Sequence, residues 1–140
     1  MAAENQPLGE ALYTLAAGVI RRRPRTLSLT ALSTLSTLEQ TGPRRLTDLA
    51  VTEEITQPSM TSLVTQLEQA GFAERRRDQA DARVVLVAIT RAGRQLMRER
   101  RRAGAQTLTD LIEKLDEQDI AELHKALPAL QQLLEIVTAG

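Results

Sequence analysis

The sequence predicts a mainly α-helical fold with one small β-hairpin, and three observations predict it. Apolar residues recur at spacings of three and four through most of the 140 residues. That period changes once, over residues 72–90, to the alternation typical of strands. Gly42-Pro43 and Gly71 punctuate the pattern, so the elements between them are short and closely joined.

Leu8, Ala11, Leu12, Leu15 and Val19 place one apolar stripe on a first helix over 7–21, with Pro24 ending or bending its exit. Leu29, Leu32, Leu35 and Leu38 do the same for a second helix over 27–39. A short third helix follows near 47–51, for which Thr47 can serve as N-cap. Val51 to Ile55 form a turn. A fourth helix starts at the capping residue Thr56, tolerates Pro58 in its first turn and runs to Ala70, where Gly71 stops it.

β-branched and alternating residues then predict strands over 72–77 and 83–90, joined by the polar loop Asp78-Gln79-Ala80-Asp81-Ala82. Thr90 caps a long helix over 91–115, and Asp116 begins a last one with a kink or break expected at Pro128. Two short consecutive helices followed by a two-stranded hairpin make a winged helix-turn-helix arrangement. One domain over 1–140 is expected, with the winged region at 28–90 and helical regions at 7–24 and 91–138.

Composition narrows the chemistry. There is no cysteine and one histidine, which excludes disulfides, thiol redox sensing and histidine or cysteine metal clusters. His124 reads as an exposed or packing histidine rather than a pH switch. Glu53 and Glu54 are adjacent and point apart, so they are no catalytic pair. No nucleophile with a supporting base and no Gly-rich phosphate loop is visible, so neither an enzyme nor a cofactor is expected. No apolar run is long enough for a bilayer and the polar start lacks a signal-peptide core, which predicts a cytoplasmic protein without a membrane partner.

The net charge of zero conceals an asymmetry. Residues 1–105 carry 16 Arg against 11 carboxylates, and residues 106–140 carry 2 Lys against 7. Residues 75–102 alone hold 10 Arg and 3 carboxylates. A basic middle and an acidic end suggest different partners for two surfaces.

On the fourth helix, Met60, Leu63, Val64 and Leu67 share one face and should pack inward. The opposite face carries Pro58, Ser62, Thr65 and Gln69, flanked by Ser59, Thr61 and Gln66. Such an uncharged, hydroxyl-rich face suits a helix lying in the DNA major groove, where hydroxyls and Gln can meet base edges. Gln57 to Ser59 offer free N–H groups to a phosphate. Arg44-Arg45 and Arg75-Arg76-Arg77 bracket this helix, and Arg45, Arg75 and Arg77 are candidate phosphate anchors with Thr47 beside them. The arginine triplet also fits a charged edge strand that resists aggregation. Arg83 fits either a minor-groove contact or a local hairpin salt bridge with Asp81.

Residues 78–93 resemble the wing signature of the MarR family: Asp78, Asp81-Ala82-Arg83, an apolar strand, then Thr90-Arg91-Ala92-Gly93. Upstream, Thr56 to Val64, Leu67-Glu68 and Gly71-Phe72 resemble that family's recognition helix and exit turn. The resemblance follows the element order over roughly 10–138 and is specific over 46–93. It implies a sequence-specific, double-stranded DNA-binding transcription regulator. Two copies would form a homodimer through the first and last two helices and bind a pseudo-palindromic operator. It implies a minor-groove role for Arg83, a bracing role for Asp81, and base readout by Pro58, Ser59, Thr61, Ser62 and Gln66.

It further implies a repressor released by a small anionic aromatic or phenolic ligand, for which Tyr13 and Arg21, at the head of the Arg21-Arg22-Arg23 run, are candidate contacts. The alternative is an architectural DNA-binding protein without an effector. The sequence departs from the family pattern at Ala82 and Ser62, where a basic residue is common. The apolar stripes of the terminal helices exceed what one small winged domain should leave exposed, which also favours a dimer.

Overall fold

The computed structural model describes residues 1–23 and 26–139; Pro24 lies outside them. Among the described residues, six helices and three strands follow in the order α1 (Ala2–Arg21), α2 (Leu29–Thr41), β1 (Arg44–Arg45), α3 (Leu46–Thr52), α4 (Gln57–Gln69), β2 (Ala73–Arg77), β3 (Val85–Ile89), α5 (Arg91–Ile112) and α6 (Glu117–Ala139). They divide into two compact units, Arg22–Arg102 and Met1–Arg21 with Ala103–Gly140. The arginine-rich first half of α5 thus belongs to the unit that holds the strands.

In that unit, α2 starts at Ser28, whose side chain accepts from the Ala31 N–H at 3.1 Å. Leu35 and Leu38 of α2, Leu49 of α3, and Met60, Val64 and Leu67 of α4 form one buried cluster with Ala73, Val87 and Ile89 of the strands. The inward face expected for α4 is therefore correct, with Leu63 only partly buried. The α3–α4 turn is tighter than expected, because α3 extends through Thr52. Glu54 turns the chain with φ 55°, and the Ile55 N–H reaches back to the Ala50 carbonyl at 3.0 Å. This left-handed residue closes α3 as glycine commonly does.

The hairpin expected from the sequence is a three-stranded antiparallel sheet of order β1-β3-β2. Arg44 pairs with Val87 and Arg45 with Leu86. Two arginines carry no alternation to read; only their pairing to β3 makes them a strand. Arg45, not Thr47, is the N-cap of α3 and contributes no side-chain cap bond, while Thr47 lies exposed in the first turn.

One joint fixes the order of α4, hairpin and α5. Gly71 adopts φ 81° after α4. Thr90 donates its hydroxyl to the Gly71 carbonyl at 2.6 Å and accepts the Gly93 N–H at 3.1 Å. Its own N–H reaches the Phe72 carbonyl at 3.0 Å. Gly93 is pressed into this joint: a Cβ there would lie 2.3 Å from the Phe72 carbonyl oxygen and 2.7 Å from Ile89 Cγ1.

In the other unit, α1 begins at Ala2, earlier than the apolar stripe indicates, and contains Pro7. Ala and Glu favour helix without contributing to a stripe, so periodicity alone misses that turn. The long helix ends at Ile112, and Asp116 caps α6 by accepting the Asp119 N–H at 2.8 Å. α6 runs through Pro128 without a break. Proline removes one backbone bond, to the carbonyl of the exposed His124, where water can replace it. None of the described α6 residues is buried, and Leu127, Leu134, Ile136 and Val137 are all exposed.

The joint predicts that Gly93→Ala will overpack it. Urea unfolding should show a loss of about 1–3 kcal/mol at an unchanged m value. A variant as stable as the parent would contradict the close approach described for Gly93.

Candidate nucleic-acid interface

The site is built on α4. Thr56 caps it, accepting the Ser59 N–H at 3.3 Å and donating its hydroxyl to Ser59 Oγ at 2.9 Å. Gln57, Pro58, Ser59, Thr61, Ser62, Thr65 and Gln66 are all exposed. Their hydroxyls differ in what they offer. Thr61 donates to the Gln57 carbonyl and Thr65 to the Thr61 carbonyl, each at 2.9 Å. Those two protons are spent on the helix, which leaves oxygen lone pairs and methyl groups facing outward. Ser59 receives a proton from Thr56 and keeps its own, so it can donate. The face thus mixes donors, acceptors and small apolar groups without a fixed charge.

Strand alternation sorts the arginine triplet. Arg75 pairs with the buried Val87 and Arg77 with Val85, so both lie on the sheet face that carries the core and α4. Arg76 pairs with Leu86 on the other face, level with Arg45 across β3, and bonds Glu74 of its own strand. Arg75 is held by Glu68 of α4. This ion pair ties β2 to α4 and engages an arginine for which the sequence offered a phosphate contact or a charged edge strand, not a partner on the preceding helix. Arg77 meets no carboxylate within salt-bridge distance among the described residues.

The hairpin loop is ordered by its own carboxylates. Asp78 accepts the Ala80 N–H at 3.0 Å. Asp81 accepts the Arg83 N–H at 3.0 Å, and its two oxygens accept Arg83 Nε at 3.1 Å and Nη2 at 3.2 Å. The Arg83 side chain is nevertheless 90% exposed. Both sequence readings of Arg83 are therefore geometrically compatible: a local fork holds the guanidinium, and the guanidinium stays open to solvent. The Arg83 side chain and then its backbone N–H hold the Asp81 carboxyl below its ordinary value of 3.8, with a smaller push from Arg45. Asp81 is depressed, so the fork is present above the ordinary carboxylate range and is lost only as pH falls through the lowered value. The pairing of Arg45 with Leu86 places β1 beside the strand that leads out of the hairpin loop, a proximity the sequence does not reveal.

Tyr13 and Arg21 are exposed on α1. In the other unit Arg23 and Arg100 are half-buried, and burial first and then Arg23 lower Arg100 from its ordinary value. No group of His, Cys, Asp and Glu among the described residues could hold a metal ion, and no described helix is long and apolar enough to cross a membrane.

A family model described as the MarR family matches residues 27–85. The chain is 33% identical over 131 residues to an uncharacterized HTH-type transcriptional regulator of Mycobacterium leprae, covering 91% of this chain and 90% of the relative. A transcriptional regulator from Thermotoga maritima superposes with a TM-score of 0.77 at 20% identity, over 100% of this chain and 99% of that one. FabT of Streptococcus pneumoniae, solved in complex with DNA, superposes with a TM-score of 0.57 at 24% identity, over 97% and 98% of the two chains.

The geometry of the α4 start predicts that Thr56→Ala, which removes the cap and the Ser59 contact together, costs about 1 kcal/mol in chemical denaturation. A change within measurement error would mean that the cap does not hold this helix end.

Proposed function

The chain belongs to the MarR family of winged helix-turn-helix transcription regulators, which are DNA-binding proteins and not enzymes, and from that premise we propose that it is a homodimeric, ligand-released repressor. Each Arg22–Arg102 unit reads one half-site of a pseudo-palindromic operator. α4 enters the major groove. Ser59 and Ser62 donate to base edges or phosphates, Pro58, Thr61 and Thr65 meet thymine methyls, and Gln66 makes a bidentate contact with adenine. The α4 N-terminus at Gln57 and the groups Arg45, Thr47, Arg75 and Arg77 meet phosphates. Arg83 enters the adjacent minor groove, with Asp81 as its brace.

The observation that carries this reading is the pairing of an uncharged hydroxyl face with an exposed, carboxylate-forked arginine on one compact unit. A chain built to bind DNA by charge alone would place arginines on α4 as well. The hydroxyl face favours sequence reading over purely architectural binding.

The dimer is supported by apolar surface. Leu8, Leu15, Leu127, Leu134, Ile136 and Val137 of α1 and α6 are exposed, more than a lone subunit is expected to leave in water. A second copy related by a two-fold axis covers such a surface with itself. The ligand is supported by the exposed Tyr13 phenol and the Arg21 guanidinium on α1, which suit an aromatic acid. A regulator of this kind meets its DNA in the cytoplasm.

Gel shifts on the DNA upstream of its own gene test the reading. Arg83→Ala should weaken binding by about 1–3 kcal/mol, the scale of one good groove contact. Replacing Ser59, Thr61 and Ser62 together by Ala should flatten the preference over random duplex. Unchanged affinity and preference in both variants would refute the reading.

Sedimentation at micromolar concentration should give a dimer, and a stable monomer would contradict it. A small aromatic acid should raise the melting temperature and release DNA, with both effects reduced by Arg21→Ala. Release by none of a panel of such acids would remove the ligand from the proposal.

A further inference from the structure

The densest charge outside the α4–wing face lies on the first half of α5. Arg91, Arg94, Arg98, Arg101 and Arg102 are all exposed. At helical spacing they fall within an arc of about 100° and extend for about 16 Å along the axis. The opposite side of the same helix is held inward, with Gly93 buried and Leu96 and Met97 packed against the core cluster. Arg101 is joined to Glu39 at 2.7 Å. Arg91, Arg94, Arg98 and Arg102 meet no carboxylate within salt-bridge distance among the described residues.

We propose that this arginine ridge is a second DNA-binding surface, which takes the backbone of a second duplex while α4 and the wing hold the first. The proposal rests on the DNA-reading role given above to α4 and the wing. Three observations carry it. The ridge is purely electrostatic: Ala92, Gln95 and Glu99 adjoin it, and no large apolar or aromatic side chain interrupts it. Protein interfaces are normally anchored by aromatic side chains beside arginine, and helices that lie in a membrane surface bury an apolar face. A phosphate backbone requires neither, and offers one charge per about 1.7 Å of duplex axis.

The ridge also faces a different way from the reading helix. Met60 and Leu67 of α4 and Met97 of α5 turn toward the same core cluster, so the outward faces of the two helices diverge. Finally, α5 starts at the base of the hairpin, tied through Thr90 to the exit turn of α4, whereas Arg83 sits at the hairpin's other end. Five residues of β3 separate the two, about 17 Å of strand. A duplex seated against Arg83 and the α4 face does not lie along the ridge.

The test uses the full chain and the quadruple variant R91Q/R94Q/R98Q/R102Q, with its fold checked by thermal melting. Biotinylated upstream DNA on beads binds the protein, and a fluorescent random-sequence duplex is then offered. The parent should retain the second duplex at low salt and lose it as salt rises. The variant should hold the first duplex as the parent does, yet capture at least about tenfold less of the second. Its log–log salt slope for random duplex should be shallower by about 3–4, the contribution of four phosphates.

No capture by the parent, or equal capture by both proteins, overturns the ridge and leaves the operator reading standing. If instead the parent fails to bind upstream DNA, the operator reading fails. The ridge is then judged by solution binding of the random duplex, where equal affinity of parent and variant overturns it. Sedimentation at low salt without DNA identifies the remaining occupant: association lost in the variant would assign the ridge to another copy of the chain and overturn the DNA proposal.

Discussion

The joint between Gly71, Phe72, Thr90 and Gly93 is the constraint on which the rest of the winged unit depends. A helix and a hairpin whose relative position is fixed beforehand lose less freedom when they meet one duplex together. Thr90 fixes that position with three bonds, two to the exit turn of α4 and one to the first turn of α5. Gly93 permits the close approach, because any Cβ would collide with the Phe72 carbonyl. The Glu68–Arg75 ion pair adds a second tie between α4 and β2 on the surface. Being partly exposed, it contributes to register more than to stability. The core cluster supports both from beneath, since Met60, Leu67, Val87 and Ile89 belong to it together.

Preorganisation also accounts for the chemistry left at the surface. The Asp81 fork restricts Arg83 without removing it from solvent, so less side-chain freedom remains to be lost on contact. Thr61 and Thr65 turn their protons back to their own helix, which limits what they present to a partner. The hydroxyl face is therefore a patterned surface whose donors and acceptors are partly assigned before binding. Charge is divided between the two units in the same spirit. The Arg22–Arg102 unit holds 15 arginines against 9 carboxylates, and the other holds 9 carboxylates against 3 basic residues.

Much of this was legible in the sequence because periodicity and caps are local. Thr56 and Asp116 mark helix starts, and Gly71 marks a stop, each by chemistry that acts within a few residues. The inward side of α4 followed from spacing alone. What could not be read depends on partners distant in the chain. Arg44–Arg45 becomes a strand only by meeting Val87 and Leu86. Arg75 is occupied by a glutamate seven residues upstream, across a turn whose geometry the sequence does not give. The α6 helix survives Pro128, where the rule for helix interiors predicts a break, because one lost bond at an exposed position is a small part of a long helix. The arginine ridge of α5 was within reach of the same periodicity argument, had charges been placed on the wheel as apolar residues were.

In the function proposed above, α4 and the Arg83-tipped wing grip neighbouring grooves of one duplex. Chemical footprinting of the complex on its upstream DNA, with separate probes for the major and minor grooves, tests it most directly. Two protected major-groove segments about one helical turn apart are expected, each flanked by a protected stretch of minor groove that Arg83→Ala uncovers. Major-groove protection with minor-groove flanks open in the parent, or protection spread evenly along the duplex, would contradict it.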